Sequence, residues 1–282
     1  MAGDNPDSPS GPLGGVRDAS LVGTNFSESA PIAFEVGGSR IESTDASLDG
    51  STVLTVAIEE PGLAPRTIVL GRPLQLLEGD SEVRWQCPRF SDGDEFVVAV
   101  AQSPDVDREE VVVVELATGD SRQISAVDAT DPRPAGCASF VDNSSIAVNE
   151  LNEASRFVVV RVDLDSGEKS LIFESETCNS LWPDVDPAGT RVAFATGCVN
   201  PRESALIIAD LASGEVRTVV NAPLSTPRWS PDGEWIAVVL ARTDGTFGTD
   251  LWVMRPDGSD AQLAIEEAAW PSWFDVGVLV GS

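Results

Sequence analysis

Histidine and tyrosine are absent from this chain of 282 residues. Their absence excludes Ser-His-Asp and Cys-His catalysis, His-ligated zinc or iron, and tyrosine nucleophiles from any chemistry that the chain performs alone. Carboxylates, Arg, Ser, Thr, Cys and the single lysine, Lys169, are the reactive groups that remain. We therefore predict no catalytic residue, no metal ligand and no cofactor.

Positive charge is also scarce, because 18 basic side chains face 46 acidic ones and the formal net charge is −28. A chain of this charge lacks the basic stripe that neutralises phosphates, so we expect no nucleic-acid partner. Long apolar runs are missing as well: runs such as Phe96 to Ala101 and Val111 to Val114 fall far short of the roughly 18 residues that a membrane-spanning helix needs. We expect no membrane-spanning segment.

Short Val, Ile, Leu and Phe runs, separated by clusters of Gly, Pro, Asp and Ser, predict an all-β fold. A bulky or apolar residue recurs before a turn, with spacings of 44, 50, 45, 44 and 44 residues. A turn glycine recurs 29, 27, 29 and 29 residues after the four middle positions. The recurring anchors are Ala46, Phe90, Phe140, Val185, Trp229 and Trp273, and the glycines are Gly119, Gly167, Gly214 and Gly258.

A repeat of about 44 residues with four short strands is typical of a propeller blade. Six anchors predict one six-bladed β-propeller of four-stranded antiparallel blades over residues 20–282. Trp273 lies only nine residues from the end, so we expect strands from both termini to share the last blade and close the ring. The outer hairpin of that blade is predicted from Pro31 to Ile41.

Residues 1–19 are rich in Pro and Gly, a composition typical of a flexible leader or linker. No charged-then-apolar signal segment precedes them, which leaves a cytosolic chain and a removed signal as alternatives.

The segments Trp229 to Gly233 and Leu251 to Gly258 resemble the WD-like repeat of TolB-type six-bladed β-propellers. The resemblance covers about residues 20–282. This sequence departs from the family pattern because it lacks the separate N-terminal α/β domain of TolB itself. It implies a periplasmic scaffold that contacts partner proteins through one face of the propeller.

Three tryptophans, Trp85, Trp182 and Trp270, are predicted in the connections that lead into inner strands, at one mouth of the channel. There they would either bind a ligand or partner or simply pack in the core. The residue before each anchor also enters this mouth, in the order Asp45, Arg89, Ser139, Asp184, Arg228, Ser272. These charges would either pair with each other as structural salt bridges or form a site in which Arg89 and Arg228 grip an acidic group.

Four cysteines lack the spacing of a zinc site. Cys178 and Cys198 flank loops on one face of a blade, and Cys87 and Cys137 hold equivalent positions in adjacent blades, three residues before their anchors. We predict a Cys178–Cys198 disulfide first and a Cys87–Cys137 disulfide second, with reduced buried thiols as the alternative. Disulfides would indicate an oxidising compartment.

Acidic residues in turns and loops are interpreted as structural. The aspartates of the Asp-Gly turns, Asp49, Asp92 and Asp232, are expected to cap those turns. Two acidic clusters could hold Ca²⁺ but lack the spacing of a calcium loop, which favours solvated charge. Their members are Asp105, Asp107, Glu109 and Glu110, and Asp163, Asp165 and Glu168.

We therefore predict a non-catalytic, monomeric binding or scaffold domain, secreted or tethered outside the cytoplasm through its leader, that recognises a protein, peptide or glycan. Its expected site comprises Trp85, Arg89, Trp182, Asp184, Arg228, Trp270 and Asp45. One alternative is a glycosidase-like hydrolase in the central channel, with Asp45 and Asp184 as acid and base. Another is a purely structural domain with a channel filled by side chains.

Overall fold

The computed structural model describes residues 19–25, 40–46, 53–58, 66–70, 84–91, 95–103, 108–115, 117–128, 137–230, 232–242, 248–266 and 268–275. Within these ranges the regular structure is β-strand, apart from one 3-10 turn at Pro201–Glu203. The predicted all-β class is confirmed.

The first four strands belong to two incomplete sheets. Their bounds are Ala19–Asn25 for β1, Arg40–Ala46 for β2, Val53–Ile58 for β3 and Arg66–Leu70 for β4. Strands β2, β3 and β4 form a three-stranded antiparallel sheet in that order.

The next sixteen strands form four complete antiparallel blades, each with its strands in chain order from one edge to the other. One blade contains β5 (Arg84–Phe90), β6 (Phe96–Ser103), β7 (Arg108–Glu115) and β8 (Ser121–Asp128). The second contains β9 (Ala138–Asp142), β10 (Ser145–Leu151), β11 (Phe157–Asp163) and β12 (Lys169–Phe173). The third contains β13 (Cys178–Val185), β14 (Arg191–Cys198), β15 (Ala205–Asp210) and β16 (Val216–Asn221). The fourth contains β17 (Leu224–Trp229), β18 (Ile236–Ala241), β19 (Thr249–Met254) and β20 (Gln262–Ile265).

The last strand, β21 (Ala268–Asp275), pairs antiparallel with β1, so segments from both ends of the chain share a sheet. Ala19–Asn25 is the strand that pairs with β21. Of the predicted outer hairpin from Pro31 to Ile41, residues 31–39 lie outside the described part of the chain, and Arg40 and Ile41 begin β2 in the next sheet.

The number of complete blades also differs from the prediction. The described residues form four complete four-stranded blades, one three-stranded sheet and one two-stranded sheet, rather than six four-stranded blades. The two short sheets are flanked by segments 26–39, 71–83 and 276–282, which lie outside the described residues.

The first strand of each complete blade is its inner strand, and inner strands of successive blades contact one another. These contacts run from β2 through β5, β9, β13, β17 and β21 and return to β2. The described inner strands therefore surround a common axis.

Apolar packing joins each complete blade to the next. Phe140 and Ile146 of the β9–β12 blade pack with Val98 and Val113 of the β5–β8 blade, which precedes it in the chain. The same arrangement joins the β9–β12 blade to the β13–β16 blade, and that blade to the β17–β20 blade. Because both faces of the middle strands are covered, runs such as Val97–Val100 are apolar at every position instead of alternating.

The predicted hairpin glycines are confirmed, since Gly119, Gly167, Gly214 and Gly258 have φ of 76°, 73°, 73° and 85° and join the third to the fourth strand.

Hydrogen bonds from the backbone N–H and hydroxyl of Ser213 lower the pKa of Asp210 in one such turn. Since the lowered pKa lies below that of the unfolded chain, this turn stabilises the fold above about pH 4, and the contribution disappears as the pH falls through the folded value.

Gly189 and Gly167 provide a test of blade packing, because both have positive φ but differ in surroundings. A Cβ on Gly189 would clash with the Val141 carbonyl oxygen of the preceding blade, whereas one on Gly167 would meet nothing within 4 Å. Gly167→Ala should lower the free energy of unfolding by about 1 to 2 kcal/mol. Gly189→Ala should cost about 1 to 3 kcal/mol more. Urea unfolding measures both, and equal losses would contradict this packing.

Candidate functional site

Three inner strands contain the same irregularity, a residue with positive φ followed by a buried proline. The dipeptides are Cys87-Pro88 in β5, Trp182-Pro183 in β13 and Thr226-Pro227 in β17, and the first residues have φ of 50°, 56° and 45°. Each dipeptide coincides with a shift in strand register. A β-bulge of this kind changes the direction in which a side chain points. Since each bulged residue stands three residues before its anchor, the three bulges lie at equivalent positions in their strands.

The tryptophans therefore lie within strands rather than in the connections that lead into them, which corrects the prediction. Trp182 is the fifth of eight residues in β13, Trp85 lies in β5 and Trp270 in β21. The side chains of Trp85 and Trp270 lie outside the described part of the structure.

Trp182 is half-buried and packs against the Cys87–Cys137 disulfide of two other blades. Its backbone N–H donates to Asn149 Oδ1 at 3.0 Å, and Asn149 Nδ2 donates to the Ser180 carbonyl oxygen at 2.6 Å. Asn149 of the preceding blade thus holds the bulge. The indole Nε1 is buried and has no hydrogen-bond partner among the described residues.

Both predicted disulfides are present. Cys87 and Cys137 join β5 to the residue before β9, with a Cα–Cα distance of 5.4 Å. Cys178 and Cys198 stand directly opposite each other on β13 and β14, with a Cα–Cα distance of 4.3 Å. The first disulfide connects two blades and the second lies within one blade.

Three charged side chains from three different blades converge below Trp182. Arg228 Nη1 donates to Asp184 Oδ1 at 2.8 Å, and Arg89 Nε lies 3.7 Å from the same oxygen. The side chains of Arg89, Asp184 and Arg228 are only 10, 8 and 7% exposed. We call these three residues the axial charge cluster.

The residues before the anchors also connect successive blades through the backbone. Asp184 Oδ2 accepts the Trp229 backbone N–H at 2.7 Å, and Ser139 Oγ accepts the Val185 backbone N–H at 3.1 Å. The expected salt bridges among these residues thus exist for Arg89, Asp184 and Arg228. The side chains of Asp45 and Ser272 lie outside the described part of the structure.

Asp184 is poorly placed to act as a general acid. One of its carboxylate oxygens accepts from a guanidinium and the other from a backbone N–H. Hydrogen bonds to both oxygens of a carboxylate favour its ionised form.

Two of the carboxylates that the sequence places in turns have structural partners. Asp232 accepts from the Ser230 hydroxyl and the Glu234 backbone N–H, as its Asp-Gly turn predicts. Asp163 accepts from Ser166, whose backbone and hydroxyl hydrogen bonds lower the pKa of that carboxyl. Asp49, Asp92, Asp105 and Asp107 lie outside the described residues. Within the described ranges, no group of three or more Cys, Asp or Glu side chains could hold a metal ion.

The bulge itself was not predicted from the sequence. Its signal is the proline that stands two residues before the anchors Phe90, Val185, Trp229 and Trp273. Asn149 was missed because nothing in its sequence surroundings distinguishes it from other strand residues.

The axial charge cluster should contribute more to stability than an exposed ion pair of the same chemistry. Asp184→Asn leaves two buried guanidiniums without their described carboxylate and should lower the free energy of unfolding by about 3 to 5 kcal/mol. Glu234→Gln breaks the exposed Arg255–Glu234 pair and should cost less than about 1 kcal/mol. Urea unfolding compares the two variants, and similar losses would show that the cluster contributes little.

No family model and no curated protein matches the sequence. Among solved structures, TolB from Acinetobacter baumannii matches with a TM-score of 0.68 and 15% identity, over 84% of this chain and 57% of that one. A putative TolB from Agrobacterium tumefaciens matches with a TM-score of 0.67 and 14% identity, over 87% and 88% of the two chains. Oligogalacturonate lyase from Vibrio parahaemolyticus matches with a TM-score of 0.56 and 14% identity, over 80% and 65%.

No helix within the described residues is long and apolar enough to cross a membrane. The chain spans just over half the length of the Acinetobacter TolB that it matches. At 14 to 15% identity these similarities concern the fold, and the chain has the β-propeller fold of TolB-type proteins.

Proposed function

We propose that this chain is a non-catalytic binding propeller that acts outside the cytoplasm and recognises a protein, peptide or glycan at the axis of its ring. The observation that carries the proposal is Trp182, a half-buried tryptophan on an inner strand whose buried indole N–H has no described partner. We use the term axial opening for the region around the bulged residues Cys87, Trp182 and Thr226, where we propose that the partner binds.

The proposed ring has six blades over residues 20–282, with residues 1–19 as a leader. The closed cycle of contacts among β2, β5, β9, β13, β17 and β21 supports this count. So does the pairing of β1 with β21, which would complete the last blade with strands from both termini.

We infer that Trp182 lies near the axis because the axial charge cluster lies next to it. Arg89 comes from the β5–β8 blade and reaches Asp184 two blades further on, past the β9–β12 blade between them. A side chain can span that separation only by crossing towards the axis. Trp182 precedes Asp184 by two residues and reaches the disulfide of the same two earlier blades.

Tryptophan at this place suits a binding role. Tryptophan is one of the residue types that most often dominate the energetics of a binding interface. The left-handed backbone at Trp182 costs of order 1 to 3 kcal/mol, and such conformations cluster at functional sites. Trp85 and Trp270, from their strands, and Asp45, from its register, are proposed to complete the site.

The hydrolase alternative has less support. Of its two proposed carboxylates, Asp184 is engaged by Arg228 and by the Trp229 backbone N–H. The similarity to oligogalacturonate lyase concerns the fold. Two disulfides in one chain favour an oxidising compartment, which agrees with a periplasmic, cell-surface or secreted location.

Peptide and glycan arrays probed with the labelled protein test the proposal. Trp182→Ala, alone or with Trp270→Ala, should weaken binding to every feature that the wild type recognises by at least about 30-fold, as expected for a central hot spot. Trp252→Ala is the matched control, because Trp252 is also half-buried but lies on β19, away from the inner strands.

Thermal unfolding of each variant shows whether it is folded before its affinity is read. Unchanged binding by a folded Trp182→Ala variant would refute the axial site. Equal losses in the Trp182→Ala and Trp252→Ala variants would show that general destabilisation, rather than contact with the partner, is responsible.

A further inference from the structure

We propose that the axial opening binds a single carboxylate group carried on an apolar or aromatic body, with Arg89 as the residue that recognises the carboxylate. This inference rests on the proposed function, because it names the chemical class that the same site accepts. Two observations support it: the unused hydrogen-bond donors of Arg89 and the apolar side chains near that residue.

Arg89 is a buried guanidinium that uses little of its hydrogen-bonding capacity. Its Nη1 donates to the Pro88 carbonyl oxygen at 2.7 Å, and its Nε is buried without a hydrogen-bond partner in the described structure. The distance of 3.7 Å from Nε to Asp184 Oδ1 is too long for a hydrogen bond. A guanidinium has five N–H donors in a fork that matches a carboxylate, so a bound carboxylate would satisfy donors that the chain leaves unused.

Apolar side chains lie close to Arg89 in the fold. Arg89 follows Cys87 by two residues on β5, directly after the bulge at Cys87-Pro88. Cys87 and Cys137 are each 2% exposed and, together with Val100, form the cluster on which Trp182 packs. A ligand with a ring or short apolar body beside its carboxylate would place that body against Trp182, the half-buried residue of this group.

The charge of Asp184 favours a monoanion over a dianion. Asp184 Oδ1 lies 3.7 Å from Arg89 Nε, so any anion on Arg89 also experiences a carboxylate close by. Repulsion at such distances is substantial in a site that is nine-tenths buried, and it grows with the charge of the ligand. A carboxylate therefore fits better than a doubly charged phosphate.

Phenylacetate and phenylacetamide are suitable probes, because they share one shape and differ in charge. Isothermal titration of the full chain at pH 7 should show that the acid binds about 10-fold or more tightly than the amide, as expected for a charge-assisted hydrogen bond. In Arg89→Gln this ratio should fall to about 1. Arg89→Lys should keep part of the preference, since the charge remains and the fork is lost.

Arg217→Gln is the matched control. Arg217 is exposed on β16, the outer strand of its blade, so this variant removes the same charge far from the axis and should keep the wild-type ratio. The ratio between two probes is insensitive to a general loss of stability. Thermal unfolding identifies folded variants, and Arg89→Lys keeps the test decisive if Arg89→Gln does not fold.

A second pair of probes distinguishes the two sources of such a carboxylate. N-acetylphenylalanine and its amide mimic the C-terminal residue of a peptide, whereas phenylacetate mimics a free small acid. Tighter binding of N-acetylphenylalanine than of phenylacetate supports a peptide C-terminus, and the reverse order supports a free acid. An acid-to-amide preference that depends on Arg89 supports the inference in either case.

Equal affinity for acid and amide in the wild type would overturn the inference, and so would a preference that persists in Arg89→Gln or disappears in Arg217→Gln. A preference that Arg89→Gln removes while Arg217→Gln retains it would support the inference. The test of Trp182 on arrays is independent of these probes. If a partner binds in a Trp182-dependent manner and the probes show no preference for the acid, the proposed function is supported and only the inference of a carboxylate ligand is contradicted.

Discussion

The structure depends on the fact that no blade can bury its own apolar faces. The middle strands of each complete blade are apolar on both sides, and each side is covered by the neighbouring blade, as Phe140 and Val98 illustrate. Hydrogen bonds between blades fix their relative height, because Ser139 and Asp184 each accept the backbone N–H of the next anchor. Burial supplies the driving force, and these polar contacts restrict the arrangement to one register.

This constraint explains why charge is found at the axis. Because the inner strands contact each other in a ring, a side chain that extends inward meets residues from other blades. At this position Asp184 accepts a hydrogen bond from Arg228 and lies beside Arg89, and the side chains of all three residues are nearly desolvated. Above them the bulged residues bring Trp182 onto the Cys87–Cys137 disulfide, so the polar and apolar parts of the axis are stacked.

Several features could be predicted because they are local. The glycines of the third hairpins need positive φ, and the strand runs are bounded by turn residues, so period and class follow from spacing. The disulfides were predictable because Cys87 and Cys137 repeat at one position of the unit. The placement of Trp182 was wrong, because a bulge lies inside β13 where spacing suggested a connection.

The sequence by itself determined an acidic, all-β chain without histidine chemistry and a repeat of about 44 residues, because composition and short-range turn chemistry depend only on nearby residues. The repeat also predicted which cysteines are neighbours, and the structure decided that they are joined. Only the tertiary structure decided that Arg89 and Arg228 share the carboxylate of Asp184 and that Asn149 holds the bulge at Trp182. These contacts join residues from different blades, and their distances depend on how the blades pack around the axis.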